Sequence, residues 1–205
     1  MRKRLGMVLC VLFVLLLPAA ASAAERTPLR VARVPLQIGT YHAPSESVVR
    51  GMEEKVSHAL HLPLNETMHY ADFLPKDAVA LAFAESQSRD PKEIVREIAR
   101  RMDAGLVVLP LLTGYESYTR SSWDFMRGRI LHSYAAVRVV VYDRRGDRVI
   151  DKGASDTYDD EATPCGEVGN MAIECMDTAL RRTGLHALLW ARKGQGHSAI
   201  QEKDR

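Results

Sequence analysis

RILHSYAAVRVVVYDRRGDRVIDKGASDTY, residues 129–158, contains two strands and the turn between them. Leu131, Ala135, Val137, Val139 and Val141 alternate with His132, Tyr134 and Arg138, the period of two that puts one face of a strand on a core and leaves the other largely wet. Asp143-Arg144-Arg145-Gly146-Asp147 then has turn chemistry, with Gly146 expected to supply a positive φ, and residues 148–158 read as the returning antiparallel strand. Arg145-Gly146-Asp147 also spells an adhesion tripeptide, which the turn explains without an adhesion role.

Upstream, Asp90-Pro91-Lys92-Glu93 opens a helix: Asp90 can accept from the third helical N–H, Pro91 needs no donor, and Glu93 can reach back. Ile94, Ile98 and Met102 mark its buried stripe and Gly105 its end, and Leu106-Val107-Val108-Leu109 follows as a short apolar strand of the two-sided, buried kind. Residues 29–38 read as a first strand that ends near Pro35. A helix follows, with Ser45 as cap, Val48, Val49, Met52, Val56, Ala59 and Leu60 on one face, and Pro63 as its stop. Residues 68–74 read as a short strand, 77–84 as a helical turn or two, and 166–182 as a last helix stopped by Gly184, with 185–190 packing back. The fold class expected is α/β (α+β): a mixed sheet of about four to five strands with an antiparallel C-terminal hairpin and helices packed on it.

The N-terminus reads as an export signal. Arg2, Lys3 and Arg4 precede an uncharged run over residues 7–17, then Pro18 and the small residues Ala21-Ser22-Ala23, which place the cut after Ala23. The apolar run is about half the roughly 20 residues that span a bilayer. Removing residues 1–23 takes away three basic residues and no acidic ones, so 28 basic and 26 acidic residues become 25 and 26, a formal charge of −1. No net positive field remains for nucleic acid or an anionic membrane. The expected organisation is a signal peptide at 1–23, one mixed α/β domain at 24–192 and a disordered polar tail at 193–205, in a periplasmic or secreted protein with no stable membrane insertion after cleavage.

Three stretches carry a resemblance: LRVARVPL at 29–36, ARRMDAGLVVLPLLTGY at 99–115 and AAVRVVVYDRRGDRVIDKGAS at 135–155. Their order resembles small bacterial envelope domains, the TolB N-terminal domain and the curli-export lipoprotein family, over most of the chain beyond the leader. The resemblance implies an assembly or accessory role in the envelope. Cys10 follows the bulky Leu9 and precedes more of the apolar run, which departs from the lipobox of the lipoprotein members.

No phosphate-cradling, dinucleotide-binding, zinc-protease or nucleophile-elbow motif is present in the sequence, and no cofactor is expected. Cys165 and Cys175 are the cysteines left after cleavage; an oxidising compartment favours a disulfide, and the alternative is two separate thiols with Cys175 in a helix core. Glu54, His58 and His61, at helical spacings of four and three, could converge on a divalent metal, or simply form the solvated side of their helix. Asp156, Asp159 and Asp160, with Glu161, could hold calcium or form an acidic loop before a helix N-terminus. Asn65-Glu66-Thr67 is a glycosylation acceptor only in a host that glycosylates.

Residues 113–129 read as an aromatic and basic loop carrying Tyr115, Tyr118, Trp123, Phe125 and Arg127, the composition that protein and glycan contacts favour, although aromatics also tuck under loops. The functional expectation is therefore a non-enzymatic envelope interaction or assembly module, contacting a protein or polymer and capable of self-association. The alternatives are a hydrolase built from His132, Asp124 and nearby serines, or a divalent-metal-binding protein. On export, mass spectrometry is expected to find a mature N-terminus at Ala24; a full-length product retaining residues 1–23 counters the leader assignment.

Overall fold

The computed structural model describes residues 28–121, 129–161 and 163–194; the expected leader, Trp123, Asp124, Phe125, Arg127 and the last eleven residues of the tail lie outside the described residues. Strands β1 (Leu29–Arg33), β2 (Gln37–Ile38), β3 (Ala71–Phe73), β4 (Leu106–Ser121), β5 (Arg129–Asp143) and β6 (Arg148–Glu161) form one mixed sheet in the order β3-β1-β4-β5-β6, with β2 beside β4. The helices are α1 (Glu46–Ala59), α2 (Asn65–Met68), α3 (Lys76–Ala84), α4 (Pro91–Arg101), α5 (Val168–Thr183) and α6 (Leu185–Gly194).

The strand order dictates the layers. β1 lies parallel to both β3 and β4, so the chain steps one way along the sheet from β1 to β3 and then back past β1 to β4. Right-handed crossovers in opposite directions must run over opposite faces. Accordingly Met52 and Val56 of α1 bury with Val31, Leu106 and Val108, whereas Val79 of α3 and Ile94 and Ile98 of α4 bury with Ala32, Val107 and Leu109. The C-terminal helices α5 and α6 join α1 on the first face, so helices cover both sides of the sheet's centre. The unbroken apolar run at the start of β4 follows from this, since consecutive residues there meet different helical layers.

Proline shapes the middle of the sheet. Val34 N–H donates to the Val108 carbonyl and Gly39 N–H to that of Leu112, so alternate residues of β4 face β1 and then β2. Pro110 lies between them on the same edge, where its missing N–H falls opposite the break between β1 and β2, which contains Pro35. The expected single strand at 29–38 is thus two short ones.

At two turns positive φ falls on an aspartate rather than on the nearby glycine. Asp103 (φ 50°) turns the chain after α4 and pairs with Arg30 and Arg144; Gly105 instead starts the sheet, donating to the Arg30 carbonyl. In the β5–β6 turn, Asp147 (φ 43°) takes the left-handed position and accepts from the Tyr142 hydroxyl, while Gly146 closes a 3-10 turn. Asp90 caps α4 as expected, but from the second helical N–H, that of Lys92, at 3.1 Å, while Glu93 turns to Arg96.

The disulfide is not formed. Cys165 is exposed on the turn Pro164–Gly166, whereas Cys175 is buried on α5 with its thiol 3.8 Å from the Ala135 carbonyl. Cys165 precedes α5 while Cys175 is seven residues into it and turned into the core, so the two thiols are not brought together. Burial pushes the Cys175 thiol up, with Asp156 and Glu174 adding to the effect, which keeps it protonated.

Tyr158 anchors the approach to α5. Its hydroxyl donates to the Glu161 carbonyl at 2.5 Å and lies 3.0 Å from Thr163 Oγ1, and its ring fills the space where a Gly166 Cβ would stand, 2.3 Å from Cδ1. Gly166→Ala is expected to destabilise by about 1–3 kcal/mol in urea unfolding. Gly146→Ala, with no atom nearer than 3.6 Å to the new Cβ, should change stability by less than about 0.5 kcal/mol. Equal effects of the two substitutions would contradict the anchoring role.

Candidate functional site

The expected loop at 113–129 is a strand for most of its described length, which corrects the sequence reading. Beyond a register shift at Thr113, β4 continues to Ser121 and pairs with β5 as far as Arg129. The cause is the partner: β5 offers backbone donors and acceptors along its whole length, and pairing satisfies them even where β4 lacks branched apolar residues. Gly114 sits just past the shift, and a Cβ there would stand 2.5 Å from the Tyr134 ring.

Because side chains alternate across a strand, this extension divides the aromatic residues. Tyr115 turns to the α5 face, where it packs against the core and burial, followed by the nearby Glu167, raises its hydroxyl's pKa. Tyr118 turns to the opposite face and is 54% exposed. There it stands in register with His132 of β5, which is in register with Asp159 of β6. The Tyr118 and His132 rings are 4.8 Å apart, His132 Nδ1 is 3.9 Å from Asp159, and Arg120 grips both Asp159 oxygens at 2.8 and 3.0 Å. Neither motif nor spacing marks Arg120; the strand register places it beside Asp159.

The second helical layer leaves this part of the sheet open. The buried cluster under α3 and α4 extends to Leu109 and Val140, with Leu111 partly buried against it. Further along the same face, Glu116, Tyr118, Arg120, Ser155, Thr157 and Asp159 are exposed, and His132, Tyr134 and Ala136 are half-buried. Arg138 marks the boundary: its guanidinium donates from Nε to Asp151 at 2.7 Å and from Nη2 to the other carboxylate oxygen, and Lys92 at the start of α4 lies 3.6 Å from the same group. The result is a flat, mixed-charge face with one exposed aromatic ring, partly stacked on a histidine.

The other candidates are not brought together. Glu54 and His58 are exposed on α1 and His61 lies beyond its end; among the described residues no group of three or more His, Cys, Asp or Glu could hold a metal ion. The acids of β6 form strand rather than loop, so they split between faces. Asp159 meets Arg120, while the Asp156 and Asp160 carboxylates accept from the next backbone N–H, Thr157 and Glu161, each at 2.9 Å. The serines nearest His132 face away from it: Ser133 is buried, 3.1 Å from Ser117 across the strand pair.

No protein-family model matches the chain, and no curated protein matches it. Among solved structures it is similar to a hypothetical protein of Chlamydia trachomatis (17% identity, TM-score 0.47, covering 78% of this chain and 98% of that one). It is also similar to a lipoprotein of Neisseria meningitidis (14%, TM-score 0.39, 76% and 99%) and to the PelC dodecamer of Paraburkholderia phytofirmans (15%, TM-score 0.39, 76% and 87%). Likeness at this level carries no assignment of function or assembly to this chain.

Arg138 holds the Asp151 carboxyl below the usual carboxylate range, chiefly by hydrogen bonding. A lowered folded-state pKa stabilises the fold above the unfolded carboxylate value, and that contribution fades as pH falls through the folded one, so the loss begins near about pH 5. Asp151→Asn is expected to give a shallower decline of stability on acidification than wild type, measured by urea titrations at several pH values; an unchanged decline would discount the pair.

Proposed function

We propose that this protein is an exported, non-enzymatic interaction module of the cell envelope, and that the open face of β4, β5 and β6 meets a protein or polymer partner. The observation that carries this reading is the in-register row Tyr118, His132 and Asp159, locked by Arg120, on a part of the sheet that no described helix covers. Exposed tyrosine and arginine beside pre-ordered polar groups are what recognition surfaces use. The export signal read over residues 1–23 and an element order that resembles the TolB N-terminal and curli-export families support an envelope setting. No helix among the described residues is long and apolar enough to cross a membrane.

The hydrolase reading has less support. A nucleophile must reach its base on the same side of a strand, and Ser117 and Ser133 project opposite to His132. Asp159 is held by Arg120 and stands 3.9 Å from the imidazole, too far for the hydrogen bond that would orient a general base.

In quantitative capture from envelope extract, Tyr118→Ala is expected to weaken retention of the partner by roughly tenfold, as for a modest hot-spot residue, with the far-ultraviolet circular dichroism unchanged. Trp123→Ala in parallel asks whether the neighbouring segment contributes. Partner sets and yields identical to wild type in Tyr118→Ala would remove this face from consideration.

A further inference from the structure

A cleft of about 760 Å³ opens at the β3 side of the sheet, across β1 from the strands that carry the Tyr118 row, outside the carboxyl ends of the parallel strands β1 and β3. That is where parallel α/β sheets hold ligands, because the chain diverges from the strand ends to opposite faces and leaves a crevice. Here Arg33 ends β1, Phe73 ends β3 and Lys76 opens α3, and all three line the cleft with Leu60, Leu62 and Leu64. The volume lies within the range of small-molecule sites, and the lining has their character, largely apolar with a few placed polar groups.

The wall between α1 and β3 is built rather than loose. Leu64 and His69 both take left-handed backbone (φ 66° and 47°), a costly conformation for these residues. Asn65 holds it in place: its side-chain oxygen accepts from Ala71 N–H at 2.7 Å and its amide donates to the Ala71 carbonyl at 2.9 Å, as a strand partner would. One result is that Leu64 stands 65% exposed at the cleft, near Phe73, itself 43% exposed. Two large apolar side chains are left in water at the mouth of an apolar pocket.

Two basic side chains, Arg33 and Lys76, line the cleft, and Asp77 follows Lys76 in the first turn of α3. Arg33 is anchored by Ser57 Oγ and the Glu53 carbonyl, with the Glu53 carboxylate 3.7 Å away, so its guanidinium is fixed in position. Lys76 makes no ion pair among the described residues, and it lies in the first turn of α3, whose N-cap residue Pro75 offers no side-chain cap to the leading N–H groups. His61 also lines the cleft; Glu66 is the acid among its lining residues.

We infer that this cleft binds a small single-chain amphiphile with an anionic head, a carboxylate or phosphate, the head at Lys76 and Arg33 and the chain against Leu60, Leu64 and Phe73. The site is separate from the sheet face proposed above for partner binding, and neither depends on the other.

Calorimetric titration of the purified protein with octyl phosphate, octanoate, octanol and inorganic phosphate tests it. Saturable binding of octyl phosphate and octanoate is expected, with octanol and inorganic phosphate each weaker by at least roughly tenfold, the scale of one charge-assisted hydrogen bond. Lys76→Gln should cost octyl phosphate binding about the same factor, and Lys152→Gln on β6 should leave it unchanged. Circular dichroism of both variants checks that the fold persists. The proposal is overturned by no saturable binding, by inorganic phosphate or octanol binding as well as the amphiphiles, by equal losses in the two lysine variants, or by sedimentation with phosphatidylglycerol vesicles without binding of the free octyl probes.

Discussion

A strand with apolar side chains on both faces is stable only between two covering layers, and β4 is such a strand from Leu106 to Leu109. Burying one Val or Leu side chain contributes about 1.5–3 kcal/mol, so leaving either face of this segment wet would cost several such contributions. The two crossovers from β1 supply the layers, α1 on one side and α3 with α4 on the other. Farther along β4 and β5, among the described residues, one layer continues, that of α5, and composition changes with it: Glu116, Tyr118, Arg120 and His132 replace the valines and leucines on the side that no described helix covers. The open face exists because the second layer ends before the sheet does.

The fold was legible where local chemistry and long-range packing agree. The alternation of Val137, Val139 and Val141, the Asp90-Pro91 start of α4 and the positive-φ Gly184 after α5 each specify their element through interactions within a few residues. The extension of β4 past Leu112 depends instead on pairing with a separate strand, and glycine, threonine and serine disguise it as loop. Propensity points to Gly146 for positive φ in the β5–β6 turn, whereas Asp147 holds it, as Asp103 does after α4, because their carboxylates gain Tyr142 and Arg144 as partners.

The candidate surface was legible only in part, for a related reason. Tyr115 and Tyr118 were both picked out by composition, but three residues separate opposite sides of a strand, so one became core and the other surface. Asp156, Asp159 and Asp160 looked like one cluster in sequence and are two kinds of group in space. Arg120 and His132, by contrast, come into contact with Asp159 only through the register of three strands, which spacing along the chain cannot express. Arg33, Phe73 and Lys76 meet for the same kind of reason, as ends of elements whose adjacency is set by topology.

At the outer rim of the sheet, β6 would otherwise offer a long row of free amides and carbonyls to any passing strand. Asp156 and Asp160 occupy the Thr157 and Glu161 N–H groups, and Arg182 reaches from α5 to the Gly153 carbonyl at 2.6 Å. Side chains of the same molecule therefore act as a partial selvedge, taking up three of the backbone groups along β6 that another strand could have used. Recognition at this end of the protein is left to side chains on a surface, which can discriminate among partners, rather than to backbone on an edge, which accepts almost any extended chain.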